Sequence, residues 1–254
     1  MNRYLAGFRL QTALLRRAFG DLHTLLTVPV YTLIFLAMTD GVHRPGLSTD
    51  AVLAPALMGL WFMAVFTAGD LIVWDRHHGT LEPTVAAPGS LAPVITGRIG
   101  AVTLLSFVVY VESWAVGAGY GLRLTVHHPL VFLAGVVATA FATACTAAMI
   151  ATLLVLPRNA QIYQNSVSWP LFLLSGIIVP ISALPDWLRP LSRLSFLYWS
   201  AGLLRSALGT HPVDDALLRL TAVVLLGTVG AGAAAFLLRK VLTRLRVLGT
   251  LGYS

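Results

Sequence analysis

Two carboxylates lie inside long apolar stretches of the sequence, where they could carry protons or ions. Asp70 falls near the end of one stretch and Glu112 near the middle of another. An acid deep in a membrane helix costs roughly 2.5–3.5 kcal/mol on insertion scales, so such a residue is a candidate for function. Asp70 is one turn from Trp74 and is therefore close enough to the interface to reach the headgroups. We take both acids as candidate residues of a transport pathway; the alternative for each is a neutralised carboxyl packed against a neighbour.

Residues for nucleotide, metal or covalent chemistry are missing from the sequence. No G-x-x-x-x-G-K-[ST] phosphate-binding loop occurs, and the single lysine, Lys240, lies in the C-terminal tail. There is no H-E-x-x-H motif, and the histidines at 77–78 and 127–128 are adjacent residues, which point about 100° apart on a helix. Cys145 has no second cysteine with which to pair. We therefore predict a chain that is not an enzyme and that holds no cofactor or metal ion.

The elements that carry these residues are predicted to be membrane-spanning helices. Of the 254 residues, 57% are hydrophobic and only 11% are charged, and the mean hydropathy is +0.81. Soluble domains carry about 25% charged residues, so lipid is the expected solvent. Six segments approach or exceed the roughly 20 apolar residues that a helix needs to cross a bilayer: 22–39, 52–74, 99–120, 130–156, 162–181 and 218–238. The prediction is an all-α, polytopic membrane protein with one domain, residues 1–254.

The basic residues predict the orientation of this protein. Eleven of the 17 lysines and arginines lie in the termini or in the loops on the same side, and six lie in the opposite loops. By the positive-inside rule, both termini are cytoplasmic. The net charge of +7 is grouped in short clusters beside apolar runs, which favours a membrane over a nucleic acid as the partner. Because arginine so outnumbers lysine, we predict a bacterial protein, located in the plasma (inner) membrane.

Residues 3–20 have the pattern of a cationic amphipathic helix. Tyr4, Phe8, Leu15 and Phe19 fall near one face at helical spacing, whereas arginines fall on another. Such a helix lies in the membrane interface with one face among the acyl chains. The alternative is a positively charged start that only fixes the topology.

Small residues recur four apart in two of the predicted spans. The rows are Gly227, Ala231 and Ala235 in the sixth span, and Gly135, Thr139, Thr143 and Ala147 in the fourth. Such rows let helices approach closely. We predict that they pack the bundle, and a subunit interface is the alternative.

The segment from Asp75 to Arg98 connects the second and third predicted spans on the cytoplasmic side. Thr80 can cap a short helix there, and Pro83 is tolerated in the first turn. Pro88 and Gly89 end the helix before the chain returns to the membrane. We predict a short polar helix, exposed to the cytosol and suited to contact a soluble partner.

This segment resembles the one that follows the second span in type-2 ABC transporter permeases, a family of exporters. The family pattern is Glu-Arg-x-x-Gly-Thr-Leu-Glu and then Pro-x-Ser; this chain has D-R-H-H-G-T-L-E at 75–82 and P-G-S at 88–90. Asp75 replaces the usual glutamate but keeps its charge. The resemblance implies a coupling helix that contacts an ATP-binding subunit through Asp75, Arg76, Gly79, Thr80, Leu81 and Glu82.

A second stretch, after the fifth span, is similar to the same family. Residues 175–188 match Ser-Gly…Pro-x-x-x-Leu-Pro-x-Trp-Leu, and Leu204–Arg205 match the closing Leu-Arg. Ser195-Phe196 depart from the Asn-Pro of many members, so the local turn is not specified. The resemblance implies short re-entrant helices at the external face before the sixth span, with the motif residues Gly176, Pro180, Leu184, Pro185, Trp187 and Arg205.

The resemblance also implies the function. The chain is expected to be the membrane-spanning subunit of an ATP-driven exporter of a drug-like, lipid or glycan cargo. Two separate ATP-binding subunits would hold ATP and Mg²⁺, and a second copy or a related permease would complete the pathway. An ion-coupled secondary transporter with proton sites at Glu112 and Asp70 is the alternative, although the chain lacks the paired inverted halves of that class. A membrane-embedded enzyme is a third class, for which the sequence offers no acid–base or metal constellation.

Overall fold

The protein is described by a computed structural model covering residues 4–5, 7–9, 12, 23–39, 47–77, 97, 100–101, 103–104, 107–153 and 160–248. Within these residues the chain forms helices, turns and loops without a β-strand, so the all-α prediction is confirmed. The helices are α1 (His23–Thr39), α2 (Leu47–His77), α3 (Val108–Gly119), α4 (Pro129–Leu153), α5 (Ala160–Leu174), α6 (Arg189–Ser192), α7 (Phe196–Leu208) and α8 (Ala216–Leu248), with a 3-10 helix at Ile181–Ala183.

Three helical stretches in the described part of the chain are long and apolar enough to cross a membrane. They are Leu47–Val65 in α2, Pro129–Leu153, which is all of α4, and Ala216–Lys240 in α8. A shorter apolar helix runs over Leu26–Thr39. The helices α3 and α5 have 12 and 15 residues, and each follows residues that lie outside the described part of the chain. The chain is thus a multi-pass membrane protein, and the count of six spans stays a prediction.

The fifth predicted span is wrong at its C-terminal end. We predicted a helix to residue 181, but α5 ends at Leu174. Gly176 adopts φ +71°, and the amides of Gly176 and Ile177 donate to the carbonyls of Leu173 and Phe172, which is a Schellman cap. The apolar residues 177–179 continue the hydrophobic pattern without continuing the helix, so hydropathy alone could not locate this end.

Helices α1, α2 and α3 pack tightly around one glycine and one hydroxyl pair. A Cβ atom at Gly59 of α2 would clash with the side chains of Val28 of α1 and Val109 of α3. Nearby, Ser113 Oγ donates to the Val52 carbonyl at 2.6 Å and lies 3.0 Å from Thr32 Oγ1. The three helices are therefore joined by both close contact and hydrogen bonds.

Helices α4 and α8 form the other half of the bundle and pack along much of their length. A Cβ at Gly227 would lie 2.9 Å from the Cα of Ala142, which confirms that this small residue serves helix packing. Gly135, in the predicted row on α4, instead faces Leu203 and Leu204 of α7. The small residues of α4 therefore accommodate two different helices.

Helix α7 is inserted between the two halves of the bundle, where it contacts α2, α4 and α8. Its buried residues are Phe196, Leu197, Ser200, Ala201, Leu203, Leu204, Ala207 and Leu208. The Phe196 ring lies 6.0 Å from that of Trp61, which is 14 residues into α2 and so roughly 21 Å from its start. The N-terminus of α7 therefore lies far from the N-terminal end of α2.

The described residues of the N-terminal segment are helical, and they approach the start of the third predicted span. The backbone carbonyl of Tyr4 comes so near Gly97 that a Cβ there would clash with it, and the Tyr4 hydroxyl is close to Gly100. Gly7 is buried, whereas Tyr4 and Arg9 are exposed. The position of the N-terminal segment in the membrane interface stays a prediction.

Candidate functional site

Arg205 of α7 links three parts of the chain at one end of the bundle: α2, the segment after α5, and α7 itself. Arg205 Nε donates to Asp50 Oδ1 at 2.5 Å, and Arg205 Nη2 donates to the Gly176 carbonyl at 2.9 Å. Asp50 lies in the first turn of α2, and Gly176 follows α5. The side chains of Arg205 and Asp50 are 32% and 38% exposed, so the ion pair is partly shielded from solvent. These bonds hold the N-terminal end of α2 and the C-terminal end of α5 against α7.

The rest of the motif after α5 is organised by a second arginine. Arg189 donates to the carbonyls of Ser182 and Leu184 and pairs with Asp186 at 2.7 Å. These bonds tie α6 back to the 3-10 helix, which Pro180 precedes and Leu184 ends. Of the predicted motif residues, Pro180 and Pro185 are exposed at turns, and Trp187 is 72% exposed. The structure brings only Gly176 and Arg205 together directly.

The C-terminal half of α7, which carries Arg205, is also held by Arg219 and by two histidines. Arg219 of α8 donates to the Gly202 carbonyl and to Ser206 Oγ, both at 2.8 Å. The rings of His127 and His128 donate to the carbonyls of Leu208 and His211, respectively. The two imidazoles thus bond to different acceptors after α7 and have a structural role there.

A buried polar link connects α2 to α5. Trp61 Nε1 donates to Ser168 Oγ at 2.9 Å, and Gln164 Nε2 donates to the Val65 carbonyl at 3.1 Å. Gln164 and Ser168 have no exposed surface, and Gln164 Oε1 has no hydrogen-bond partner among the described residues. Sequence analysis missed this link, although Gln164 and Ser168 are polar residues four apart in a predicted span.

Helix α5 uses only one narrow strip of its surface for packing. The buried positions are Gln164, Ser168 and Phe172, with Ser175 just beyond the helix. The remaining surface is largely exposed and includes two neighbouring polar residues, Asn165 and Ser166, which we call the α5 polar face. The other large exposed side chains of α5 are Ile162, Tyr163, Val167, Trp169 and Leu173. By contrast, every exposed side chain of α4 is apolar: Pro129, Leu130, Leu133, Val137, Phe141 and Leu153. The exposed surface of α4 is therefore wholly apolar, whereas that of α5 combines apolar side chains with an amide and a hydroxyl.

The structure describes the side chain of one predicted intramembrane acid, Glu112, but not that of the other, Asp70. Glu112 lies on α3 and is partly buried, and its Oε2 atom has no hydrogen-bond partner among the described residues. The neighbouring Ser113 is engaged with α1 and α2 as described above. Asp70 falls within α2, but its side chain lies outside the described part of the structure. The pathway role of both acids stays a prediction.

Comparison with known families identifies the family of this chain. The sequence model of the family described as "ABC-2 type transporter" matches residues 9–208. The chain belongs to the ABC-2 type transporter family. A search of curated proteins finds no significant match. Membership makes the chain a membrane component of an ABC-type transporter, and the family assignment made from the two sequence motifs is confirmed.

In this ABC-2 chain the predicted coupling residues follow the long helix α2. Asp75 and Arg76 belong to the last turn of α2, with side chains outside the described part of the structure, and Gly79, Thr80, Leu81 and Glu82 lie outside the described residues. Helix α2 has 31 residues and is roughly 46 Å long, longer than the ~30 Å hydrocarbon core. One continuous helix thus leads from the Asp50–Arg205 pair to the start of the predicted coupling segment.

Proposed function

We propose that this chain is the permease subunit of an ATP-driven exporter, in which two copies enclose a pathway for a drug-like, lipid or glycan cargo. Two separate ATP-binding subunits would bind ATP and Mg²⁺ and drive transport. Family membership supports a role in an ABC-type transporter, and the exposed α5 polar face is the structural observation that carries the arrangement of two copies.

Within the α5 polar face, the amide of Asn165 is poorly suited to contact acyl chains, whereas the Ser166 hydroxyl already donates to the Ile162 carbonyl. Polar side chains in membrane segments face the interior of a bundle, a water-filled cavity or another protein. Asn165 and Ser166 lie on the exposed side of α5, away from the strip that packs against α2. A second copy related by a two-fold axis would bring its own α5 polar face opposite this one, as in most closed homodimers. The space between the faces would then be lined by amide and hydroxyl groups beside the exposed apolar and aromatic side chains of α5, which suit an amphipathic cargo.

The proposed arrangement can be measured by cross-linking in membranes. In a Cys145→Ala background, Asn165→Cys should give a cross-linked dimer with a short bifunctional maleimide. Val137→Cys is the matched control, because Val137 is 55% exposed on the apolar surface of α4. Equal cross-linking of the two variants, or none at position 165, would contradict the proposal that α5 faces a second copy.

The proposed coupling runs through residues 79–82 and the end of α2. Glu82 would pair with a basic group of the ATPase while Leu81 fills an apolar socket. Loss of one partner of a buried interfacial charge pair typically costs about 2–5 kcal/mol, more than the ~0.3–1 kcal/mol by which Glu82 could stabilise its own helix. Since α2 is continuous, a displacement of residues 79–82 would be transmitted along α2 to the contact between Asp50 and Arg205.

Co-purification of the ATPase tests the coupling proposal. Leu81→Asp and Glu82→Lys should each release the ATP-binding subunit or uncouple its hydrolysis, with the permease still folded in the membrane. Asp214→Lys, a charge reversal at an exposed residue of the opposite loop, serves as the control. Wild-type association and wild-type export in both coupling variants would overturn the assignment.

A secondary transporter remains the competing function because Glu112 Oε2 is buried without a described partner. A protonatable carboxyl in this setting is typical of ion-coupled carriers. The two functions separate in proteoliposomes that contain the permease alone: transport driven by a pH gradient without ATP would favour the carrier. Transport that requires the ATPase and ATP would favour the exporter.

A further inference from the structure

The segment between the 3-10 helix and α7 has an inverted polarity. Trp187, Leu191 and Leu194 are 72%, 43% and 71% exposed. Their spacings of four and three residues place them on one side of successive turns. On the other side, Ser192 is completely buried and Ser195 nearly so. The exposed surface of the segment also carries Asp186, Arg189 and Arg193, so it is suited to a neighbour that offers both apolar and charged groups.

One guanidinium beside these apolar residues is free to bind an external anion. Four arginines lie between α5 and the second turn of α8: Arg189, Arg193, Arg205 and Arg219. Three of them bind acceptors of the chain itself, as described above. Arg193 is exposed, and no described acceptor bonds to its guanidinium. Its backbone is fixed, because its carbonyl accepts the Trp199 Nε1–H at 2.9 Å.

The segment begins beside the Gly176–Arg205 contact and descends from there to Phe196, which packs against Trp61 of α2. Arg189 ties it to the 3-10 helix, which follows Gly176, and Gly176 is bonded to Arg205 beside the first turn of α2. Under the predicted topology the end of the bundle at this contact faces outward. Aromatic, aliphatic and arginine side chains at such a level are typical of the interface between acyl chains and headgroups.

We propose that Trp187, Leu191, Arg193 and Leu194, here named the outer patch, dock into the outer leaflet, with Arg193 binding the phosphate of a phospholipid headgroup. The three apolar side chains enter the region of the first acyl carbons, and the guanidinium forms charge-assisted hydrogen bonds with the phosphate above them. The lipid contact thereby anchors the segment that leads into α7. The inference does not depend on an ATPase partner or on the identity of the cargo.

Spin-label accessibility tests the position of the outer patch. Single cysteines at Trp187, Leu191, Leu194 and Asp186 are labelled in a Cys145→Ala background and reconstituted in vesicles of phosphatidylcholine and phosphatidylglycerol. Asp186 is the matched control, since its side chain is 91% exposed next to Trp187. At the three patch positions the ratio of oxygen to nickel-chelate collisions should exceed that at position 186 several-fold. Ready access of the nickel chelate would place the patch in water, and exclusion of both reagents would place it against protein; either result overturns the proposal.

The role of Arg193 is tested by lipid-dependent stability in detergent. Short-chain phosphatidylglycerol should raise the Tm of the wild type, and this rise should be lost in Arg193→Gln, largely kept in Arg193→Lys and unchanged in the control Arg123→Gln. Arg123 is an exposed arginine of the loop before α4. An undiminished rise in Arg193→Gln would overturn the phosphate assignment. An equal rise with inorganic phosphate would overturn the lipid as its source.

Discussion

The Asp50–Arg205 pair gives a prediction whose size follows from its geometry. Two unit charges 4 Å apart attract by about 4 kcal/mol at an effective dielectric constant of 20. Here the side chains are 38% and 32% exposed, so water screens the pair, and the cost of removing the ions from solvent offsets more of the attraction. We expect a coupling free energy of about 1–2 kcal/mol, between the ~0.2–1 kcal/mol of exposed pairs and the ~3–5 kcal/mol lost when a buried pair is broken.

A double-mutant cycle measures this coupling. The free energy of unfolding is determined by SDS titration in mixed micelles for Asp50→Asn, Arg205→Gln and the double variant. Arg205→Gln should be the more damaging single change by about 1 kcal/mol, because it also removes the hydrogen bond to the Gly176 carbonyl. In the double variant the two losses should not add, since the second substitution removes an interaction that is already broken.

The pair between Asp215 and Arg219 provides the control. Its atoms are 4.0 Å apart, and the Asp215 side chain is 68% exposed. Asp215→Asn should therefore change the free energy of unfolding by less than about 0.5 kcal/mol. Additive losses for Asp50→Asn and Arg205→Gln, within about 0.3 kcal/mol, would refute the view that this ion pair holds α2 to α7.

Three further predictions concern topology, the buried acid and helix packing. An impermeant thiol reagent added to intact cells should label a cysteine at Asp186 but not one at Ser254; labelling at Ser254 would reverse the orientation. Glu112→Gln should lower export without loss of assembly, whereas Glu112→Leu should keep or raise thermal stability; normal export in both would make this acid a packing residue. Gly59→Ala should destabilise the protein by about 1–3 kcal/mol, because its Cβ would clash with two valines, whereas Gly232→Ala, which meets no atom within 4 Å, should be neutral or stabilising when Tm is measured.

Hydropathy and motif spacing predicted the class of fold and the family but not the contacts among Asp50, Gly176 and Arg205. The motif pattern included Gly176 and Arg205, and the structure shows that they bond to each other. Their third partner, Asp50, was missed because it precedes the predicted second span and belongs to no motif. A possible signal was its position: an acid just outside a span, on the same predicted side as Arg205.

The internal link through Gln164 and Ser168 shows a different limit. Both residues sit in a predicted span, but periodicity within one helix does not reveal which neighbour it packs against. Trp61 and Val65 supply the partners from a helix 99 or more residues away in sequence. Pairing across such a distance is decided by how the bundle assembles, which a single sequence does not specify.

The threonines of α4 have a mechanical consequence for the bundle. Thr139, Thr143 and Thr146 each donate their hydroxyl hydrogen to a carbonyl four residues earlier in the same helix. Displacement of α8 along α4 therefore does not break these bonds. The residues at the interface between the two helices are small, so few side chains obstruct such a displacement. Between α2 and α5, in contrast, relative motion must break the bonds made by Trp61 and Gln164. We expect the resistance to movement to be unequal across the bundle, low where α4 meets α8 and high where α2 meets α5.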